Sequence, residues 1–256
     1  MNFEDVGAPL AKVVFDKNPK KNKTICVDSN NASVREVVSE YRCLPAETIQ
    51  QIPNKKSERQ ILYVTGASGS GKSYYTLMYV NEYKKMYPKN ELYLLSSVEP
   101  DGSAIDKIKG LKRFKLDEAF IKEPFKIDDF KDCLVVFDDT DCVSSKVLRL
   151  KLKSILDMIC QTGRHTNTSL IYTSHIANAG LDTKQILNEC HSLTLFPKTL
   201  GNRSLKYLLE NSFGFDKNQI KRIKQLQSRW VTIIKNYPML ILGEKQAFVY
   251  CNDGDD

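Results

Sequence analysis

Features of membrane and secreted proteins are missing from this sequence. No run of apolar residues approaches the roughly 18–20 that a bilayer-spanning helix needs. The first ten residues carry two acids and lack the apolar segment of a secretory signal. Internal repeats and low-complexity segments are missing as well. We therefore expect a cytoplasmic protein with no membrane partner.

Paired cysteines are also missing. The seven cysteines make an odd total and include no CxxC pair, which argues against a disulfide framework and against a zinc site. Cys133 and Cys160 lie in apolar-rich stretches, where a free thiol behaves as a small hydrophobic group. We interpret the cysteines as reduced core thiols.

The overall amino-acid composition is that of an ordinary globular protein. With 256 residues, 41% of them hydrophobic and 27% charged, the chain can bury a substantial core without disulfides or metals. A polar stretch over 53–58 separates an N-terminal appendage, residues 1–57, from a core over 58–197. Short strands and a helix over Ser33–Tyr41 are predicted in the appendage. Residues 198–256 are predicted to form a basic helical segment and a β-hairpin that completes the core.

Strands and helices alternate along the predicted core. Short apolar runs bounded by turn residues predict strands, and longer amphipathic stretches predict helices. The alternation predicts an α/β fold of three layers, in which helices cover both faces of a central, mostly parallel sheet. Strands are predicted over Gln60–Thr65, Leu92–Ser97, Leu134–Phe137, Leu170–Thr173 and Ser192–Phe196, and helices over Lys72 to about Tyr87, Ser145–Gln161 and Thr183–Cys190.

A glycine-rich loop joins the first core strand to the first core helix. Residues 66–73 read Gly-Ala-Ser-Gly-Ser-Gly-Lys-Ser and satisfy the P-loop pattern GxxxxGK[ST]. Glycines let backbone N–H groups wrap around phosphates, and the helix adds its positive N-terminal end. Lys72 is expected to contact the β- and γ-phosphates of ATP, and the Ser73 hydroxyl to coordinate Mg²⁺. The predicted nucleotide-binding residues are Gly66, Ala67, Ser68, Gly69, Ser70, Gly71, Lys72, Ser73 and Tyr74.

Two carboxylates follow a fully apolar strand. Asp138 and Asp139 come directly after Leu134–Phe137, and ligands of open parallel sheets bind at the carboxyl ends of the strands. Asp138 is predicted to hold Mg²⁺ through its water shell. Asp139 is predicted to orient and deprotonate the attacking water. The later strand Leu170–Thr173 is expected between the P-loop strand and the acid-bearing strand, as in the additional-strand class of ATPases.

Two basic residues flank that later strand. Arg164 is a candidate for supplying positive charge to the transition state, within its subunit or across an interface, although it could instead cap the preceding helix electrostatically. His175 is a candidate sensor that hydrogen-bonds the γ-phosphate or the attacking water, although it could simply begin the next helix. The predicted catalytic residues are Lys72, Asp139, Arg164 and His175.

Three segments carry a family resemblance: the P-loop, then Val136–Asp139, then 163–169, which reads Gly-Arg-His-Thr-Asn-Thr-Ser. In order and spacing they resemble the genome-packaging ATPases of poxviruses and other nucleocytoplasmic large DNA viruses, members of the FtsK–HerA superfamily. The resemblance implies a homo-oligomeric ring that hydrolyses Mg-ATP and moves double-stranded DNA into a capsid, in the host cytoplasm or the virion. His175 stands where this family generally has Gln, and Asp139 where many superfamily members have Glu.

Positive charge is unevenly placed along the chain. The net charge is +7. Residues 198–235 hold nine Lys or Arg and two acids, and residues 12–23 hold five lysines and one acid. Such clusters favour polyanions such as DNA, although a solvated helix face would have the same composition. The predicted DNA-binding residues are Lys221, Arg222 and Lys224.

Two functions other than DNA translocation remain open from the sequence. A P-loop ATPase can act as a regulatory or assembly switch without moving nucleic acid. A nucleotide or metabolite kinase is less favoured, because the sequence shows no arginine-rich lid. Capsid proteins are possible partners under the packaging hypothesis alone.

Overall fold

The computed structural model describes residues 1–30, 33–57, 59–175 and 181–250. The chain divides into two compact units, one formed by Met1–Ser57 together with His191–Asp256, and the other by Glu58–Cys190. The strands are β1 Ala8–Phe15, β2 Lys23–Val27, β3 Glu40–Arg42, β4 Glu47–Gln51, β5 Ile61–Thr65, β6 Glu91–Ser96, β7 Leu111–Arg113, β8 Cys133–Asp138, β9 Ser169–Ser174, β10 Ser192–Leu195, β11 Val231–Ile234, β12 Met239–Gly243 and β13 Gln246–Tyr250. The α-helices are α1 Lys72–Met86, α2 Glu118–Lys122, α3 Lys146–Thr162, α4 Leu181–Glu189, α5 Asn202–Phe213 and α6 Lys217–Gln225.

In the unit Glu58–Cys190, the strands lie in the order β5-β9-β8-β6-β7, and every neighbouring pair is parallel. All residues of β5 and β9 are buried, as expected for the centre of a parallel sheet. Strand β9 lies between the P-loop strand β5 and the acid-bearing strand β8, as predicted. The mixed α/β fold of the additional-strand P-loop class is therefore confirmed.

The helices of this unit begin and end close to the predicted bounds. Helix α1 starts after Gly71, whose φ of 111° favours glycine, and ends before Pro88. Ser145 caps the start of helix α3, because its hydroxyl accepts a hydrogen bond from the Leu148 N–H. Its buried stripe contains Leu152, Ile155, Leu156, Ile159 and Cys160. Val147, an apolar residue in the first turn of the helix, is instead 59% exposed.

The other unit is built from antiparallel strands. Strands β2, β1 and β4 form a three-stranded sheet, and β10 to β13 pair antiparallel in succession. Strand β10, which falls within the predicted strand Ser192–Phe196, runs antiparallel to β11. The predicted C-terminal hairpin is β12–β13. Strand β3 pairs antiparallel with β13 on the side away from β12.

The predicted helix Ser33–Tyr41 is wrong over the residues that the structure describes. The backbone N–H groups of Arg35 and Glu36 both donate to the Glu4 carboxylate, at 3.0 Å each. The N–H of Val38 donates to the carbonyl of Met1 at 2.8 Å. The segment then enters the sheet as β3. These long-range contacts replace the local hydrogen bonds that a helix would need.

The cysteine interpretation holds for some of the thiols. Cys26, Cys133, Cys160 and Cys190 are buried, whereas Cys43 is half-buried and Cys142 is exposed. Burial raises the pKa of Cys133 and of Cys160 to about 12, so these two thiols stay protonated and unreactive. The described residues contain no cluster of three or more side chains suited to zinc. Cys251 lies outside the described residues.

Candidate nucleotide-binding and hydrolytic site

Four parallel strands end at one edge of the sheet. In the registers of the ladders, Thr65 of β5 pairs with Ser174 of β9, and Ser96 of β6 pairs with Asp138 of β8. The P-loop leaves this edge from β5, and the two predicted acids leave it from β8. Three of the four predicted catalytic residues, Lys72, Asp139 and His175, lie here.

The P-loop turns back along the end of the sheet. Its first residue, Gly66, donates its N–H to the carbonyl of Ser174 at 3.2 Å, which ties the loop to the neighbouring strand. Gly69 and Gly71 have φ values of +71° and +111°, in the region that favours glycine. The Ser70 hydroxyl is buried and has no hydrogen-bond partner among the described residues. A buried polar group of this kind suits a site that receives a polar ligand.

Lys72 lies at the centre of the site with its side chain only 6% exposed. Its Nζ donates to the carbonyl of Gly66 at 3.0 Å and approaches that of Ala67 at 3.5 Å. It lies 3.2 Å from His175 Nδ1 and 3.7 Å from Asp139 Oδ1. The ammonium group therefore joins the P-loop to the acid-bearing strand and to the end of β9.

The two acids share one partner that the sequence analysis did not identify. The Thr173 hydroxyl, fully buried in β9, lies 3.0 Å from Asp138 Oδ1 and 3.3 Å from Asp139 Oδ1. It also accepts the Asp139 N–H at 3.1 Å. A hydroxyl has one hydrogen, so it donates to one carboxylate at a time. Asp139 itself has φ of 49°, an uncommon backbone conformation that this contact helps to hold.

Asp138 has the properties of a cation ligand. Burial raises the pKa of its carboxyl above the ordinary value, and the adjacent Asp139 carboxylate raises it further. Its second oxygen, Oδ2, lies 3.4 Å from the Ser96 hydroxyl. A nearby divalent cation would relieve the repulsion between the two acids. Oxygen donors of this type, with Ser73 in the first turn of α1, fit Mg²⁺.

His175 contacts protein groups on both sides of its ring. Its Nε2 lies 2.9 Å from Asp139 Oδ2, and its Nδ1 lies 3.2 Å from Lys72 Nζ. This geometry matches an imidazole that carries its proton on Nε2 and accepts from the lysine on Nδ1. The residue predicted as a phosphate sensor is thus also the partner of the predicted base.

Arg164 lies at the opposite edge of the sheet. It belongs to the turn between α3 and the first residue of β9, whereas His175 follows the last residue of β9. Strand β9 has six residues and therefore spans about 20 Å at ~3.3 Å per residue. This is further than an arginine side chain reaches. The structure does not bring Arg164 together with the other catalytic candidates of its own chain.

The turn that carries Arg164 is held by several internal hydrogen bonds. The Thr168 N–H donates to the carbonyl of Gly163 at 2.8 Å, and the Thr168 hydroxyl donates to the carbonyl of Phe130 at 2.8 Å. The Asn167 amide donates to Asp132 at 3.0 Å. A Cβ on Gly163 would lie 2.5 Å from the carbonyl oxygen of Ile159, so only glycine fits. Arg164 and His165 are exposed on this firm support.

The predicted DNA-binding residues lie on α6, in the unit that contains both chain ends. Asp216 caps this helix by accepting the N–H groups of Asn218 and Gln219 in its first turn. Lys221 and Lys224 are exposed. Arg222 has a different environment: its guanidinium donates to Glu40 at 2.6 Å and lies 3.9 Å from the centre of the Phe248 ring. Its contacts are thus those of a residue that stabilises the fold.

The sheet order, the P-loop and the acid-bearing strand define a P-loop NTPase of the additional-strand class. The chain belongs to the family of protein V3 of the Sputnik virophage, an uncharacterized protein to which it is 34% identical over 249 residues, which cover 96% of this chain and 97% of V3. No protein-family model matches the sequence.

Solved structures support the fold independently. B204, the DNA-packaging ATPase of Sulfolobus turreted icosahedral virus, is similar with a TM-score of 0.52 and 15% identity, over 74% of this chain and 98% of B204. The cytoplasmic domain of the type VII secretion ATPase EccC of Thermomonospora curvata gives a TM-score of 0.52 and 12% identity, over 90% of this chain and 31% of EccC. The predicted α/β P-loop fold is therefore confirmed.

The described residues include no helix that is both long and apolar enough to span a membrane.

Because the pKa of Asp138 is raised, we expect its substitution to change the stability of the fold. A carboxyl with a raised pKa in the folded state favours folding when protonated, and this contribution is lost as the pH rises through the folded pKa. Asp138→Asn stays neutral and keeps a carbonyl oxygen for Thr173. At pH 7 and without Mg²⁺, we expect the variant to be more stable than the parent by about 1 kcal/mol, with no ATP hydrolysis.

Thermal unfolding at pH 7 and at pH 4 checks this prediction. The stabilisation should shrink at the lower pH, where the parent carboxyl takes up its proton. Glu99→Gln removes an exposed acid from a loop at the same sheet edge and should leave the melting temperature unchanged. A less stable Asp138→Asn variant at pH 7 would contradict the argument.

Proposed function

We propose that this chain hydrolyses Mg-ATP and uses the energy to move double-stranded DNA during viral genome packaging, as a subunit of a homo-oligomeric ring. The observation that carries the enzymatic part is the contact between Lys72, His175 and Asp139 at the mouth of the P-loop. Two observations support the movement of DNA: the similar structure B204 is a DNA-packaging ATPase, and the chain has a net positive charge. Capsid proteins would be the partners of such a motor, in the host cytoplasm or the virion.

Each residue of the site has a defined part in the proposed reaction. The P-loop, residues 66–73, would bind the phosphates, with Lys72 on the β- and γ-phosphates. Ser73 and Asp138 would hold Mg²⁺, which neutralises phosphate charge when bound. Asp139 would accept the proton of the attacking water. Exposed Tyr74, in the first turn of α1, offers an aromatic face beside the bound nucleotide.

The oligomer follows from the position of Arg164. Phosphoryl transfer is accelerated by an arginine that stabilises charge in the transition state. Arg164 cannot reach the phosphates of its own chain, but it is exposed on a firm turn at the opposite edge of the sheet. In a ring, that edge of one subunit can face the P-loop edge of the next. We therefore propose that Arg164 acts in trans.

ATP turnover with and without double-stranded DNA, together with a mass measurement in ATP, tests the proposal. A DNA-translocating motor should hydrolyse ATP faster when DNA is present and should assemble into an oligomer. ATP hydrolysis that ignores DNA would favour the alternative, an ATPase acting as a regulatory or assembly switch. The absence of any ATP hydrolysis by a folded, oligomeric chain would refute the enzymatic part.

The surface of α6 gives a prediction about DNA binding. Lys221→Glu with Lys224→Glu places two negative charges on the exposed face of the helix. If both lysines neutralise DNA phosphates, affinity should fall and the slope of log K against log salt should flatten by about two. Fluorescence anisotropy with a double-stranded fragment over a salt series measures both quantities.

The control for this prediction is Lys109→Glu with Lys131→Glu, which reverses two exposed lysines in the other unit. That variant has the same net charge as the α6 double variant but should keep the salt slope of the parent protein. Arg222→Ala should lower the melting temperature instead, because it loses Glu40 and the Phe248 ring. An unchanged slope in the α6 variant would assign its lysines to a solvated helix face.

A further inference from the structure

A third acid, Asp141, is hydrogen-bonded to the end of β9 and to the backbone of His175, which follows it. It lies in the short 3₁₀ turn Thr140–Cys142, which begins directly after Asp139. Its Oδ2 accepts the Ser174 hydroxyl at 2.7 Å and the backbone N–H of His175 at 3.2 Å. Two donors therefore converge on one carboxylate oxygen.

These bonds fix the backbone from which the imidazole extends. The His175 ring then contacts Asp139 at 2.9 Å and Lys72 at 3.2 Å. Thr173, two residues before His175, joins the same strand to Asp138 and Asp139. The end of β9 is thus attached to the acid-bearing segment at two points: through Thr173 to Asp138 and Asp139, and through Ser174 and the His175 N–H to Asp141.

We infer that Asp141 is a positioning residue for ATP hydrolysis: it holds the backbone of His175 so that the imidazole orients the Asp139 carboxylate toward the attacking water. This inference rests on the proposed ATP hydrolysis. It assigns Asp141 no contact with nucleotide or metal. Asp141 acts on the hydrolytic step, since a base that is displaced by about 1 Å can slow a reaction as much as 100-fold.

Asp141→Ala removes the acceptor, whereas Asp141→Asn keeps a carbonyl oxygen that can accept both donors. We expect Asp141→Ala to lower kcat about 10-fold to 100-fold while the KM for ATP and the affinity for a non-hydrolysable ATP analogue stay close to the parent values. Asp141→Asn should retain most of the parent kcat. Ser174→Ala, which removes one of the two donors, should give a smaller loss than Asp141→Ala.

A double variant tests whether Asp141 acts through His175. Asp141→Ala combined with His175→Ala should be no slower than His175→Ala alone, because the group being positioned is then gone. Losses that multiply would overturn the inference, as would a parent-like kcat in Asp141→Ala or an equal loss in Asp141→Asn. Glu99→Ala, an exposed acid of the same sheet edge, should leave kcat unchanged.

A spectroscopic measurement separates this inference from the proposed function. The chain has three histidines, so the ¹⁵N imidazole resonances of His175 can be assigned by comparison with His175→Ala. These resonances should shift in Asp141→Ala and stay near the parent positions in Asp141→Asn, whether or not the chain hydrolyses ATP. Unshifted resonances in Asp141→Ala would refute the positioning role. A parent chain that shows the shift but no turnover would instead refute the enzymatic proposal.

Discussion

Asp139→Asn should bind ATP with an affinity close to the parent value and hydrolyse it about 10³-fold more slowly. A general base contributes roughly 10²–10⁴-fold to a rate, and an amide of the same shape cannot accept the proton of water. The substitution keeps an oxygen that can face Thr173 or Lys72, so the site should stay assembled. Single-turnover hydrolysis, measured beside equilibrium binding of a non-hydrolysable ATP analogue, separates the two effects.

Lys72→Ala provides the contrast to this variant. Removing the ammonium takes positive charge from the phosphates and breaks the contacts with Gly66 and His175, so both ATP binding and turnover should be lost. Unchanged affinity and turnover in Lys72→Ala would disprove its role in the phosphate site. If Asp139→Asn turned over at the parent rate, the base would have to be sought elsewhere.

The strand order around the site could be predicted because its signals are local. The P-loop pattern fixes a strand, a glycine-lined turn and a helix, and the apolar run before Asp138 fixes a second strand. The position of β9 between them followed from the class of ATPase in which a protein carboxylate activates water. Every residue of β5 and β9 is buried, which is the physical basis of the apolar runs 61–64 and 170–172.

The parts of the site that could not be predicted depend on contacts between distant segments. Thr173 reads as an ordinary strand residue, and Asp141 as one more acid in a polar turn, until β8 and β9 are paired. The same limit applies to the segment 33–41, whose helical pattern gives way to hydrogen bonds with Met1 and Glu4. Arg222 looks like its lysine neighbours in sequence, and only the fold shows its pairing with Glu40.

The position of Arg164 also depends on the fold, and it bears on which subunit the arginine serves. From sequence, Arg164 could have served its own subunit or a neighbour. In the fold, Arg164 lies at the amino end of β9, whereas the acids lie at the carboxyl end of β8. We therefore propose that Arg164 serves the nucleotide site of the neighbouring subunit. The site of one chain is then incomplete without the next copy, which makes the catalytic proposal and the oligomer one hypothesis.

Arg164→Ala should therefore reduce ATP turnover about 10³-fold in a uniform oligomer, the lower end of the effect of a trans-acting arginine, with little change in analogue binding. Lys72→Ala subunits should also be inactive, but they keep Arg164. Mixing the two variants should restore part of the activity, because an intact P-loop in one subunit meets an intact arginine in the next. Turnover measured across a series of mixing ratios tests this complementation.

His165→Ala serves as the matched control, since it removes the neighbouring exposed residue from the same turn and should cost far less activity. The turn itself is held by Gly163, Thr168 and Asn167, so Arg164→Ala should melt near the parent temperature. If activity returned in no mixture, although mixed oligomers formed and the variant stayed folded, Arg164 would have no role across the interface. The proposed ring would then need another source of positive charge beside the γ-phosphate.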